Sequence, residues 1–273
     1  MQDILVSTRD SRSWQSSVQY AARLAAMLDG SVTAVYSVPL PMLVPDVAAP
    51  ALATEIIEIC REESAAARRA QPAFERFARE VGARSATWHV AEGTEPAILQ
   101  AAARWHDLLV LERTAEEPDA AVLGALGQSI LHADLPCIIL PSGVDTPQLD
   151  TIAIAWKETA ESIRAVHAAL PLLARAKRIV IICGERGISA ADSEDSAQGL
   201  LEYLCDHGLN ASLKWIDAEP QAAGECLLAA AKETSADLLV MGAYGRTRFS
   251  EWTFGGATRC VLESAAMPVF MRH

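Results

Sequence analysis

Short apolar runs alternate with longer amphipathic stretches along the whole chain. Ile4-Leu5-Val6 is followed by Trp14, Val18, Ala21, Ala25 and Leu28, which recur at helical spacing. The first half predicts strands near 3–8, 31–38, 84–90, 107–112 and 136–140, with helices near 12–29, 51–82, 94–105 and 122–133. In the second helix Cys60, Ala67, Phe74 and Val81 form a heptad seam with Phe77 beside it. Glu62, Glu63, Arg68 and Arg69 mark its polar face. The alternation then resumes, with strands near 151–156, 178–183, 211–217, 237–242 and 268–272 and helices near 160–175, 193–207, 222–234 and 256–265. Pro171 falls inside one helical pattern and predicts a kink or an early end. Val- and Ile-rich strands separated by helices imply a parallel sheet covered on both faces. Right-handed crossovers make it doubly wound, with ligands expected beyond the carboxyl ends of the strands.

The two halves repeat one another. His106-Asp107-Leu108-Leu109-Val110-Leu111 matches Ala236-Asp237-Leu238-Leu239-Val240-Met241, and an alanine-rich helical stretch precedes each. After each comes a Gly-containing helix start, and then Leu135-Pro136-Cys137-Ile138-Ile139-Leu140 or Met267-Pro268-Val269-Phe270-Met271. Turn-forming residues fill Pro141–Pro147. The expected organisation is two tandem five-stranded parallel α/β domains, 1–145 and 146–273. The clustered Pro39, Pro41, Pro45 and Pro50 predict a stiff connecting loop.

Composition narrows the function classes. Lys and Arg total 23 against 35 Asp and Glu, a net charge of −12. Such a chain repels polyanions, so neither nucleic acid nor an anionic membrane is an expected partner. The first residues lack the basic and apolar regions of a signal peptide, and no apolar run is long enough to span a bilayer, so a cytoplasmic location is expected. The six cysteines form no CxxC pair, and no His lies near one at zinc-finger spacing. The six histidines are scattered, without an HExxH or a nucleophile elbow. No catalytic residue and no metal site is therefore assigned. Asp107 and Asp237, at the entrance to their strands, suit capping.

The sharpest local chemistry follows the strand near 237–242. Gly242 and Gly245 form a turn at the strand end, and Gly255 and Gly256 open the next helix. Glycine lets backbone approach a ligand closely, and free N–H groups at a helix start favour an anion. Between Gly242 and Arg259 lie three Arg and one Glu, a basic island in an acidic chain. The corresponding stretch of the first half, Glu112 to Asp119, has four acids, one Arg and no glycine pair. A phosphate oxygen ~4 Å from one such carboxylate is repelled by ~1–4 kcal/mol.

The Gly242, Gly245 and Gly255 spacing resembles the nucleotide motif of the universal stress protein family: Gly, two residues, Gly, nine residues, Gly, then Ser or Thr. The resemblance covers the whole chain as two tandem family domains forming a pseudo-dimer, closed through their last strands. It implies a stress-response regulator or sensor binding ATP or a related adenine nucleotide in its second domain, with or without Mg2+. Some family members bind no nucleotide. Carried over residue by residue, it places phosphates at the amides of Gly242, Gly245, Gly255 and Gly256, near Thr258 and Arg246. Gly256 replaces the family's usual Ser or Thr. Lys157, and Arg9 in the first half, stand where nucleotide-binding members have an Asp, and a basic residue cannot accept that residue's hydrogen bonds. Trp252 and Phe254 suit packing on the sheet or at an interface. Two other readings remain open: a stress-associated interaction protein with protein partners and no nucleotide, and a slow ATP-hydrolysing enzyme. Homodimerisation is a further expectation, alternative to the internal pseudo-dimer.

Overall fold

The computed structural model describes residues 1–8, 16–38, 50–113, 120–184, 190–219, 222–243 and 256–273. The chain divides into two compact units. One holds Met1–Glu112, Ala125–Leu135 and Ser142–Thr146, and the other Arg113–Gly124, Pro136–Pro141 and Pro147–His273.

In the first unit, β1 (Asp3–Thr8), β2 (Ser31–Val38), β3 (Ser85–Glu92) and β4 (Leu108–Glu112) lie parallel in the order β3-β2-β1-β4. The central strands are apolar on both faces, and Ile4, Leu5, Val6, Leu108, Leu109 and Val110 are fully buried. The helices follow the predicted seams. In α1 (Ser16–Met27), Val18, Ala21 and Ala25 are buried. Trp14, assigned to the same seam, lies outside the described residues. In α2 (Pro50–Val81) the seam is buried at Ala67 and Phe74, and the Phe74 ring meets Trp88 with centroids 5.4 Å apart. The predicted third and fourth helices are α3 (Glu95–Ala103) and α4 (Ala120–Ala133).

The second unit builds the repeat again. Its strands are β5 (Cys137–Leu140), β6 (Thr151–Trp156), β7 (Arg178–Gly184), β8 (Ala211–Ile216), β9 (Leu238–Gly242) and β10 (Val269–Arg272), in the order β5-β10-β9-β6-β7-β8. All pairs are parallel except β5 with β10, which is antiparallel. The last strands of the two sequence repeats therefore pair, as the resemblance implied, with Phe270 opposite Ile138. The helices are α5 (Ala160–Leu173), α6 (Ala190–Asp206), α7 (Ala223–Glu233) and α8 (Gly256–Ser264). Pro171 is accommodated in α5, which stops two residues later. Gly208, φ 74°, turns the chain out of α6 in the left-handed conformation that favours glycine.

Asp107 and Asp237 act alike at the foot of each unit's sheet. Asp107 accepts the Gln2 amide at 2.7 Å and the Asp3 amide at 3.2 Å, and Asp237 accepts the Thr151 amide at 2.8 Å. Each carboxylate thus fixes the start of the strand that opens its repeat.

Candidate functional site

The second unit's strand order reverses between β6 and β9, because the chain runs outward through β7 and β8 before crossing back to β9. Such a reversal opens a crevice at the carboxyl ends of the two strands. Ala155 is registered with Met241, so Trp156, Lys157 and Gly242 gather at this edge. On the other side of β9, Arg272 is registered with Gly242.

Gly242 is fixed by packing. A Cβ at this position would lie 2.5 Å from the Ser162 amide nitrogen and 2.7 Å from the Glu161 carbonyl carbon. The first turn of α5 therefore presses directly on the end of β9. That turn is capped by Thr159, whose Oγ1 accepts the Ser162 amide at 3.3 Å. Glu161 is buried, and its carboxylate pairs with Arg164 at 3.2 Å. Arg164 also donates to the carbonyl of His273 at 3.1 Å.

Gly256 is the first residue of α8, and a Cβ there would meet nothing within 4 Å. Thr258, two residues further on, is half-buried. Two contacts seat α8. Gly224 of α7 lets it approach so closely that a Cβ there would lie 2.5 Å from Cys260 Cβ. At the other end, Arg113 donates to the carbonyls of Leu262 at 2.7 Å and Ala265 at 2.9 Å. These are last-turn carbonyls, which a cation satisfies best. Burial lowers the pKa of Arg113.

The first unit shows what replaces the glycine. Glu112 ends β4 as Gly242 ends β9, and its Oε2 accepts the Ser17 amide of α1 at 3.2 Å. Ser17 is the second residue of α1. A carboxylate of the chain itself thus sits at this helix start. Nearby, Ser7 donates to Glu95 at 2.5 Å.

Of the residues singled out in the sequence, Gly242, Gly256 and Thr258 are described, and Gly245, Arg246 and Gly255 lie outside the described residues, as do Trp252, Phe254 and Arg9. Lys157 is exposed at the end of β6, where its carbonyl accepts the Thr159 amide at 2.7 Å. Sequence reading missed Gly224, Arg113 and Arg272. Gly224 lay in an alanine-rich run whose packing partner is far along the chain, and the other two matter only through strand register and helix ends. Among the described residues no cluster of three metal-ligating side chains occurs, and no helix is long and apolar enough to cross a membrane.

Comparison with known families fixes the ancestry. The universal stress protein family model matches residues 1–141 and 217–273, more than half of the chain. The chain belongs to the universal stress protein family. A search of the curated proteins found no significant match. Among solved structures, a universal stress protein from Archaeoglobus fulgidus superposes with a TM-score of 0.74 at 16% identity, covering 99% of this chain and 95% of that one. A putative universal stress protein from Pseudomonas aeruginosa gives a TM-score of 0.62 at 13% identity, over 100% and 93% of the two chains. The cytoplasmic domain of a prokaryotic cation chloride cotransporter gives 0.56 at 13%, over 99% and 94%. At these identities the likeness is one of fold. This universal stress protein departs from the family model over 142–216, the stretch between the matched segments, which holds β6, α5, β7, α6 and β8.

Proposed function

We propose that the chain is a stress-response regulator whose second unit binds ATP or a related adenine nucleotide at the reversal between β6 and β9. The observation that carries this reading is the contrast between the two strand ends. Glu112 ends β4 with a carboxylate that accepts the Ser17 amide in the first unit, whereas β9 ends in Gly242 and brings no acid to its strand end. A Cβ at Gly256 would meet nothing within 4 Å, which leaves room beside the first residue of α8, and a helix start favours an anion. The phosphate end of a nucleotide therefore fits the residues present: the amides of Gly242 and Gly256 and the Thr258 hydroxyl would hold it, with Arg272 and Lys157 adding positive charge. Gly245, Gly255 and Arg246 complete the loop in this proposal. Mg2+, if it accompanies the nucleotide, is held by the phosphates in this reading. The first unit is a structural partner in this reading.

At the nucleoside end, Lys157 offers a donor where an acceptor is wanted. That favours a second reading, an interaction protein that retains the loop as scaffold. Calorimetric titration separates them. On the first reading ATP binds with micromolar affinity at one site per chain, and Gly256→Asp, which enters open space and should leave the fold intact, weakens it at least ~30-fold. No heat with a folded chain up to millimolar ATP, with and without Mg2+, overturns the nucleotide reading and leaves the interaction protein.

A further inference from the structure

We propose that the groove between α5 and α6 in the second unit binds a small organic cation with an aromatic body. The groove has a volume of about 300 Å³, at the small end of the range for ligand sites. That volume suits one ring with a short ammonium tail. It adjoins the β6–β9 crevice at Trp156 but is walled by the facing sides of α5 and α6, with Trp156 and Glu158 closing one end, and all its lining residues fall between the two segments matched by the family model.

Three features point to a cation. The first is a pair of aromatic rings held in place before any ligand arrives. The Trp156 indole donates to Ser196 Oγ at 3.1 Å. The Tyr203 ring packs at a tilt against His167, with centroids 5.6 Å apart, and against His207, with centroids 4.3 Å apart. Fixed aromatic rings attract cations through their negative faces and lose little entropy on binding. The second is charge. Glu158 lines the groove, and no Lys or Arg does. The other titratable side chains of the lining are His167 and Tyr203, and α6 contributes only Ser196, Gly199, Leu200 and Tyr203. The acid of α5 nearest the strand ends, Glu161, is already neutralised by Arg164. Glu158 repels an anionic ligand, and a cation gains a charge interaction there that a neutral ligand lacks. The third is an apolar floor of Ile163, Val166 and Leu200. Ile163 is 40% exposed, so its side chain is accessible to a ligand in the groove.

Gly199 makes the groove testable. It lines the cavity, and a Cβ there would meet nothing within 4 Å. A large side chain at this position fills the groove without displacing backbone.

The experiment titrates full-length protein with three probes of one size: phenylethylammonium, 2-phenylethanol and phenylacetate. Methyl NMR follows Ile163, Val166 and Leu200 at pH 7.5. The expected result is saturable binding of the ammonium below ~1 mM, at least ~10-fold tighter than the alcohol, with no binding of phenylacetate. Glu158→Gln should reduce the preference for the cation over the alcohol ~3- to 10-fold, the size of one exposed charge interaction. Gly199→Phe should abolish binding of both. Should Gly199→Phe not fold, Gly199→Leu and Glu158→Gln decide the matter. Equal affinity for all three probes, shifts confined to other methyls, or undiminished binding to a folded Gly199→Phe protein overturns the proposal. ATP titration of the same variant reports separately on the strand-end site, so the two proposals fail independently.

Discussion

A methyl group at Gly242 would sit 2.5 Å from the Ser162 nitrogen and 2.7 Å from the Glu161 carbonyl carbon, backbone atoms of one peptide unit that cannot swing aside as a side chain could. Gly242→Ala should therefore cost about 1–3 kcal/mol, the usual range for overpacking, read as a lowered urea midpoint. Any loss of ligand binding in that variant has to be separated from this packing cost, which is why Gly256 is the better probe of the loop. The cysteines behave differently according to burial. Burial pushes the Cys137 thiol up to about 12, partly offset by the charge of Arg272, and burial pushes Cys183 up to about 11. Thiolate is the reactive form, and Cys205 is exposed. Iodoacetamide at pH 8 should label Cys205 early and reach Cys137 and Cys183 only after denaturation, as mass spectrometry of the peptides would show. At Asp107 the amides of Gln2 and Asp3 hold the carboxyl below its ordinary value against a smaller effect of burial. A depressed carboxylate stabilises the fold above the unfolded pKa of ~3.9 and ceases to do so as pH falls through the folded value. Urea midpoints measured from pH 5 to 2.5 should drop more steeply in the wild type than in Asp107→Asn.

Helix α8 is held by its neighbours more than by its own sequence. Nine residues are too few for an independent helix, so its position rests on Gly224 beside it and Arg113 beneath its last carbonyls. Arg113→Ala removes two charge-assisted hydrogen bonds and should destabilise the protein by about 1.5–3 kcal/mol. The amides of 260–265 should exchange faster, while those of α6 are unchanged. If the start of α8 holds phosphates, the same substitution weakens ATP as well, although Arg113 lies at the opposite end of the helix. Helix α6 offers the converse case. Its Gly199 has open space around it and carries the helix-propensity cost of glycine without a packing return. Gly199→Ala should raise stability by about 0.5–1 kcal/mol, read as a higher midpoint of thermal unfolding.

For the molecule as a whole, the antiparallel pairing of β5 with β10 has the largest consequence. Val269, Phe270 and Met271 are buried between β9 on one side and β5 on the other. A fragment starting at Pro147 lacks β5 and would expose β10 as an apolar edge, which pairs readily with another chain. Sedimentation of that fragment should show dimers or larger species, and adding a charge in the strand, as in Phe270→Lys, should suppress them. The order of strands and helices was legible in the sequence because period-2 and period-3.6 patterns are local, and the repeat at Leu108–Leu111 and Leu238–Met241 showed the duplication. The glycine spacing after Gly242 was equally legible, since a motif is a one-dimensional object. Tertiary structure alone decided that Gly242 is demanded by the start of α5, that Glu112 accepts the Ser17 amide of α1 in the first unit, and that β5 joins β10. It alone brought Trp156, Glu158, Gly199 and Tyr203 around one groove. These depend on contacts between residues tens of positions apart, whose geometry is set by strand register and helix packing, and no local pattern of side chains carries that information.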